Sequence, residues 1–345
     1  LGNPAFGHSG ESAISRYFIE KGRKDPEFVA LFSDREWSDL TAFEGNANAL
    51  RILTRAFKGR LEGGFRLTYS TLGAILKYPC GSGDSLGKHG PAHRKKYGFF
   101  QAERSVFESV TAKLRMVPDA DTPHVFRRHP FVYLVEAADD ICYNIVDFED
   151  AHRIGIFSSE FVIDTLTKLV ILNPADDPDR IAQTVDALRV DANEAISYLR
   201  AKAINYLANR CASIFVENAD SIISGTFEGD LIGRIAEARP QLREINCLSV
   251  DHIYNHESVI KIELSGYTIM AGLIKDFVEA ALLPETERSS YEKKILALIP
   301  AQYMYEATGT PYEKVMCILD FISGMTDVYA LKLYRNLTGI EIPRI

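Results

Sequence analysis

An all-α fold is what this sequence predicts, and three observations predict it. Apolar residues recur at three- and four-residue spacing along most of the 345-residue chain, the pattern of amphipathic helices. Strand-like alternation is scarce, confined to 214–220 and 225–231, and leaves room for no more than one short hairpin. Gly and Pro fall between the periodic segments, at 63–64, 79–84, 117–119, 173–178 and 283–284.

Taken in order, the first helical pattern covers 12–21, just behind His8 and Glu11. The next, over 47–57, opens at Glu44-Gly45-Asn46, where N-capping is the simplest role for Glu44 and Asn46. The pattern over 67–76 ends at Lys77-Tyr78-Pro79 and runs into a Gly-, Ser- and His-rich loop, 79–94, expected to be mobile or to serve as a lid. Structure resumes at Arg94-Lys95-Lys96-Tyr97; basic residues flanking such a loop can clamp phosphates, or can simply compensate a helix dipole. Further helices are expected over 99–114, 132–145, 161–172, 181–208, 259–283 and 315–337. The change to long helices and acidic turns past 173 suggests a catalytic core over 1–172 and a helical C-terminal region over 173–345 packed on it, the two together making one or two domains.

Composition narrows the function classes. With 46% hydrophobic and 25% charged residues the chain is ordinary globular material. Its net charge of −8 argues against broad nucleic-acid or acidic-membrane binding, while leaving room for a local basic pocket. Nucleic acid stays open only as an effector. Five scattered cysteines without a C-x-x-C pair read as reduced thiols, and with no membrane-length apolar run or signal peptide the expected location is the cytoplasm. The start, Leu1-Gly2-Asn3-Pro4, reads as the middle of a motif, which points to residues upstream of this numbering.

Two stretches carry candidate chemistry. His8 and Glu11, three apart at a helix start, can share a face, and a carboxylate there can orient an imidazole and raise its pKa; a surface pair tying down a turn has the same spacing. On the 132–150 stretch, Leu134, Ala138, Ile141, Ile145 and Phe148 make an apolar face that Val132, Val135, Cys142 and Val146 widen. Asp139, Tyr143 and Asp147, four apart, form a stripe beside it, expected to line something or else to be a solvated face. Met325 and Tyr329 read as core.

Six ordered stretches resemble the deoxyguanosinetriphosphate triphosphohydrolase family of HD-domain enzymes. They are Leu-Gly-Asn-Pro-Ala-Phe-Gly-His-Ser-Gly-Glu at 1–11, Phe-Glu-Gly-Asn-Ala at 43–47, Lys-Tyr-Pro at 77–79, Lys-Lys-Tyr-Gly-Phe-Phe at 95–100, Leu-Val-Glu-Ala-Ala-Asp-Asp-Ile-Cys-Tyr at 134–143, and Asp-Phe-Ile-Ser-Gly-Met-Thr-Asp at 320–327. The resemblance implies an all-α HD-domain core with additional C-terminal helices, hydrolysing dGTP or other deoxynucleoside triphosphates to deoxynucleoside and tripolyphosphate. It implies a divalent metal ion, Mg, Mn or similar, with Asp139 as one ligand. The family's other ligands, an upstream His and the His-Asp doublet, would stand before Leu1 and are not in this sequence. It further implies His8 and Glu11 as the catalytic pair, Tyr143 and Asp147 at the deoxyribose, Asn46, Lys77 and Lys96 at the phosphates with Tyr78 in support, and a homo-oligomer. The competing readings are another nucleotide-cleaving HD phosphohydrolase and a protein that binds deoxynucleoside triphosphates without turnover.

Overall fold

In the computed structural model, which describes residues 1–56, 63–120, 122, 124–306 and 308–342, the sequence resolves into sixteen α-helices among the described residues. They are α1 (Gly7–Lys24), α2 (Pro26–Val29), α3 (Asp34–Thr41), α4 (Gly45–Thr54), α5 (Tyr69–Ile75), α6 (Arg104–Leu114), α7 (Pro130–Arg153) and α8 (Ser159–Val170). There follow α9 (Pro178–Leu188), α10 (Ala192–Glu217), α11 (Ala219–Ile223), α12 (Arg239–Leu248), α13 (Glu257–Leu282), α14 (Ser290–Ala297), α15 (Pro311–Ser323) and α16 (Asp327–Leu337). No strand occurs among the described residues, only two isolated bridges, Gly81 with Phe99 and Pro118 with Phe126. The all-α expectation is met.

The hairpin is not present. Residues 214–217 continue α10 and 219–223 form α11, because Ile214 and Ile222 are buried in a helical core that a hairpin could not offer them. Two expected long helices are broken in the same way: Asp191 accepts the Asn193 N–H (2.9 Å) to restart α10, and Thr326 accepts the Tyr329 N–H (3.3 Å) to restart α16. Tyr329, expected in the core, is 47% exposed in that first turn, while Met325 is buried. Residue 57, the last of the 47–57 pattern, lies outside the described residues.

Two compact units make up the chain, one of residues 1–128 with 261–345, the other of 129–260. The sequence-based division at 172/173 falls between α8 and α9, inside the second. The first unit buries Ile14 and Phe18 of α1 and Leu40 of α3 with Met270, Leu273 and Phe277 of α13 and Val315, Ile318 and Ile322 of α15. Each such side chain contributes about 1.5–3 kcal/mol of transfer free energy. The second unit packs α7 against α8 and α10 through Ile141, Ile145, Phe148, Leu166, Leu199 and Leu207.

In the first unit the two ends of the chain are bolted together by the stretch 320–327. Asp320 of α15 takes Arg51 of α4 in a bidentate pair (Nε–Oδ1 2.6 Å, Nη2–Oδ2 2.8 Å), and Arg51 also reaches Glu103 at 2.5 Å. Arg55 pairs with the same Asp320. One turn on, the Asn48 amide donates to the Ser323 hydroxyl (3.3 Å) and to the Gly2 carbonyl (2.7 Å), and Asp327 accepts the Phe6 N–H at 2.8 Å. Phe6 sits at φ 63°, a conformation costly for a non-glycine residue. Asp327 therefore helps hold the bend that starts α1.

The 79–94 loop is strapped rather than free. Three short 3-10 turns, Ser82–Asp84, Gly87–His89 and Ala92–Arg94, shape it. Leu86 N–H bonds to the Arg94 carbonyl (2.8 Å), and buried His93 Nε2 meets Asp119 Oδ2 at 2.6 Å. Asp39 of α3, buried, accepts from the Ser82 hydroxyl (2.6 Å), the Gln101 N–H (2.7 Å) and the Tyr312 hydroxyl (2.5 Å), joining loop, α3 and α15.

Burial drives the Asp39 carboxyl up to about 7, although those three donors pull it down. The folded chain holds this proton more tightly than the unfolded chain, whose aspartates titrate near 3.9. Asp39 thus lends stability that is complete below about pH 4 and is lost as pH rises through about 7. Urea midpoints between pH 5 and pH 8 should accordingly fall further for wild type than for Asp39→Asn. Equal slopes would contradict this account.

Candidate active site

An open cleft of about 830 Å³ in the first unit is lined by His8, Glu11, Ser12, Glu44, Lys88 and Lys96, with Arg16 and Arg23 further along α1. His8 is exposed in the first turn of α1 and Glu11 is buried one turn on. Glu11 Oε1 accepts the Gly45 N–H at 3.0 Å, across from the first turn of α4. A side chain at 45 would push Glu11 and Asn3 aside, since a Cβ there would lie 2.4 Å from Glu11 Oε1 and 2.5 Å from Asn3 Oδ1. No hydrogen bond joins Glu11 to His8 among the described residues; the two act on each other through charge. Burial, then the neighbouring Glu44, push the Glu11 carboxyl above the ordinary range, with Lys96, His8 and the Gly45 N–H opposing.

Glu44 caps α4 and is the hub of the opposite wall. It receives the Asn46 N–H (3.4 Å) and side-chain amide (2.6 Å), and Lys96 Nζ at 2.9 Å. Burial works against the Lys96 charge, but Glu44 and Glu11 outweigh it and hold the ammonium above its usual pKa. Asn46 thus reaches Lys96 through Glu44, and of the two capping candidates it is Glu44 that caps α4, by accepting the Asn46 N–H. Tyr78 is buried; that burial raises its phenol against Lys77, Lys96 and Arg128, which all lie within electrostatic reach. Arg128 was not read from the sequence. It donates to the Lys77 carbonyl (3.1 Å) and the Ala92 carbonyl (3.2 Å), with its guanidinium 6.0 Å from the Tyr78 ring centroid.

Asp139, Tyr143 and Asp147 belong to the second unit, on α7. The buried positions of α7 are Val132, Tyr133, Ala137, Ile141, Ile145, Phe148, Glu149 and Ala151, so of the expected face Ile141, Ile145 and Phe148 are buried, with Val132 from its margin. Tyr133 turns inward, with its hydroxyl on the Phe227 carbonyl at 3.2 Å and its ring edge-on to Phe227 at 5.1 Å. That rotates Leu134, Val135, Ala138 and Cys142 outward, against the expectation of a mostly buried helix. Asp139 is exposed on this outer face.

Tyr143, 46% exposed, stacks on Tyr254 with centroids 5.3 Å apart at 20°, and the Tyr254 hydroxyl donates to Asp147 Oδ2 at 2.8 Å. Burial raises both Asp147 and Tyr254 above their usual values. Tyr254 closes the π-helical turn Ser249–Tyr254, a geometry with no readable sequence signal and one frequent at functional sites.

Residues 234–336 fit the model of the phosphohydrolase-associated domain. A deoxyguanosinetriphosphate triphosphohydrolase-like protein of Synechocystis sp. is 33% identical over 345 residues, covering 99% of this chain and 75% of the relative. Another so named, from Pseudomonas aeruginosa, is 34% identical over 350 residues with the same coverage. The chain belongs to the deoxyguanosinetriphosphate triphosphohydrolase-like family of HD phosphohydrolases. A deoxyguanosinetriphosphate triphosphohydrolase of Yersinia pseudotuberculosis is 29% identical over 401 residues, covering 99% of this chain and 77% of that protein.

A divalent metal is associated with this family, and the residues present do not make up its site. Among the described residues no group of three His, Cys, Asp or Glu side chains is arranged to hold a metal ion. Asp139 offers one carboxylate on an exposed face, and one carboxylate is not a metal centre. Among the described residues, no helix of this family member is long and apolar enough to cross a membrane.

Proposed function

We propose that this chain carries a deoxynucleoside triphosphate triphosphohydrolase, dGTP being the substrate named for its relatives, with deoxynucleoside and tripolyphosphate as products. The observation that supports this reading is the gathering of His8, Glu11 and Lys96 on one open cleft.

Cleavage to these products puts a water oxygen on the α-phosphorus and breaks its bond to the 5′-oxygen, which leaves as the deoxynucleoside hydroxyl. That oxygen is a poor leaving group and takes up a proton. His8, exposed to the cleft, is the donor, and Glu11 one turn on acts on it through charge. Gly45 and the turn of α4 fix where that carboxylate stands. Lys96, steadied by Glu44, meets the phosphate charge that builds in displacement, with Tyr78, Lys77 and Arg128 behind it. No step here runs through a metal.

Incubating the protein with each deoxynucleoside triphosphate, with and without Mg²⁺ or Mn²⁺, and resolving products by ion exchange tests the reading. Deoxynucleoside and tripolyphosphate are expected. Monophosphate with pyrophosphate, or diphosphate with phosphate, would overturn it.

Tyr143 and Asp147 are assigned to the deoxyribose, and Tyr254 joins them because it stacks on one and bonds to the other. Removing the ring in Tyr143→Ala should narrow the preference for deoxynucleoside over nucleoside triphosphates by about tenfold or more, on the scale at which pockets discriminate a hydroxyl. An unaltered ratio of the two kcat/KM values would remove Tyr143 from that role.

A further inference from the structure

The first unit holds another cavity, about 350 Å³, that shares no lining residue with the His8 cleft. Its floor is aromatic. Phe99 and Phe107 stack with centroids 4.1 Å apart, and Phe126 meets Phe107 edge-on at 5.8 Å. Its rim carries three guanidiniums, Arg35 of α3, Arg104 at the start of α6 and Arg115 just past the end of α6, with the His124 imidazole beside them.

The rim charges do not cancel. Arg104 is paired with Glu108 at 2.9 Å. Asp84 is the other acidic group of the lining, so three guanidiniums face two carboxylates in a chain whose net charge is −8. Among the described residues Arg35 and Arg115 make no side-chain ion pair or hydrogen bond. Arg115 also occupies the left-handed position, φ 50°, that ends α6. A glycine would take that position without strain, yet an arginine stands there.

We propose that this cavity binds a small planar aromatic ring bearing an anionic group, the ring over the Phe99–Phe107 floor and the anion between Arg35 and Arg115. The volume lies at the small end of ligand pockets, about 300–1,000 Å³, enough for one ring system and one anionic group. An aromatic floor favours a flat ring by stacking, and guanidinium forks suit carboxylate or phosphate. A nucleoside monophosphate and an aromatic carboxylate both have this chemistry; inorganic phosphate lacks the ring.

Calorimetric titration of the whole chain with deoxyguanosine monophosphate, with indole-3-carboxylate and with inorganic phosphate tests the assignment. Tripolyphosphate is held saturating throughout, so that the His8 cleft is occupied. At least one ring-bearing probe should bind while phosphate alone does not, and the tighter of the two identifies the source. Arg35→Gln and Arg115→Gln should each weaken that binding about tenfold, the scale of one charged hydrogen-bonded contact. Ala112→Trp, filling the mouth, should abolish it. Positions 35, 112 and 115 are exposed, so unchanged thermal midpoints will show that the variants fold. Failure of both ring-bearing probes to bind overturns the proposal. So does binding that the three substitutions leave intact or that phosphate alone reproduces.

Discussion

His8→Ala should lower kcat by about 100-fold or more, the scale of a lost general acid, without moving the thermal midpoint. The imidazole is exposed in the first turn of α1, so its removal leaves no buried group without a partner. Glu11 is different, because its carboxylate both faces His8 electrostatically and accepts the buried Gly45 N–H. Glu11→Gln keeps an acceptor oxygen for that N–H and removes the charge, so it isolates the electrostatic part and should reduce kcat less than His8→Ala does. Glu11→Ala removes both and should also cost about 1–3 kcal/mol of stability, the penalty of a buried donor left unpaired. The double variant His8→Ala with Glu11→Gln should be less than additive, since the charge acts through the imidazole. Burial holds the Glu11 carboxyl above the ordinary range, so the acid limb of kcat/KM should lie above that range and shift in Glu11→Gln. Wild-type kcat in His8→Ala would end the assignment.

What the sequence could and could not reveal follows from the range over which each feature is encoded. Helices were legible because their periodicity is local, and even α3, which was missed, carries a capping box in Ser33 and Glu36 that could have found it. The phase of a helix face is not local. On α7 the apolar residues nearly encircle the axis, and which of them turned inward was settled by Tyr133 finding the Phe227 carbonyl 94 positions away. The same reason hid Tyr254, whose tie to the predicted Asp147 spans 107 positions. His8, Glu11 and Lys96 were identified by their motifs and do share a cleft, whereas Glu44 as the group that binds Lys96 was visible only as a cap. The role of 320–327 was legible as a pattern and not as chemistry. Its partners, Arg51, Asn48 and Phe6, all lie more than 260 positions upstream.

That stretch carries the largest expected effect on stability. Asp320→Ala should destabilise the first unit by about 3–5 kcal/mol, the usual cost of breaking a buried pair from one side. The side chains of Arg51 and Asp320 are 5% and 2% exposed, and Arg51 spends two of its three described hydrogen bonds on Asp320. Deleting the carboxylate leaves the Arg51 guanidinium with Glu103 and takes one ionic partner from Arg55, so a buried positive charge loses its compensation. Glu103→Gln removes a single charge-assisted bond and should cost less. Glu20→Ala, which breaks the exposed Arg16–Glu20 pair, should leave the urea midpoint in place. The consequence reaches the cleft, because Arg51 and Asn48 lie on the helix whose first residue, Gly45, seats Glu11. Asp327→Ala separates position from stability: among the described residues its carboxylate holds the Phe6 N–H at the bend before His8 and no other donor, so the change should lower kcat more than it lowers the urea midpoint. If Asp320→Ala shifts the midpoint no more than Glu20→Ala does, the buried cluster is not what holds the two ends of the chain together.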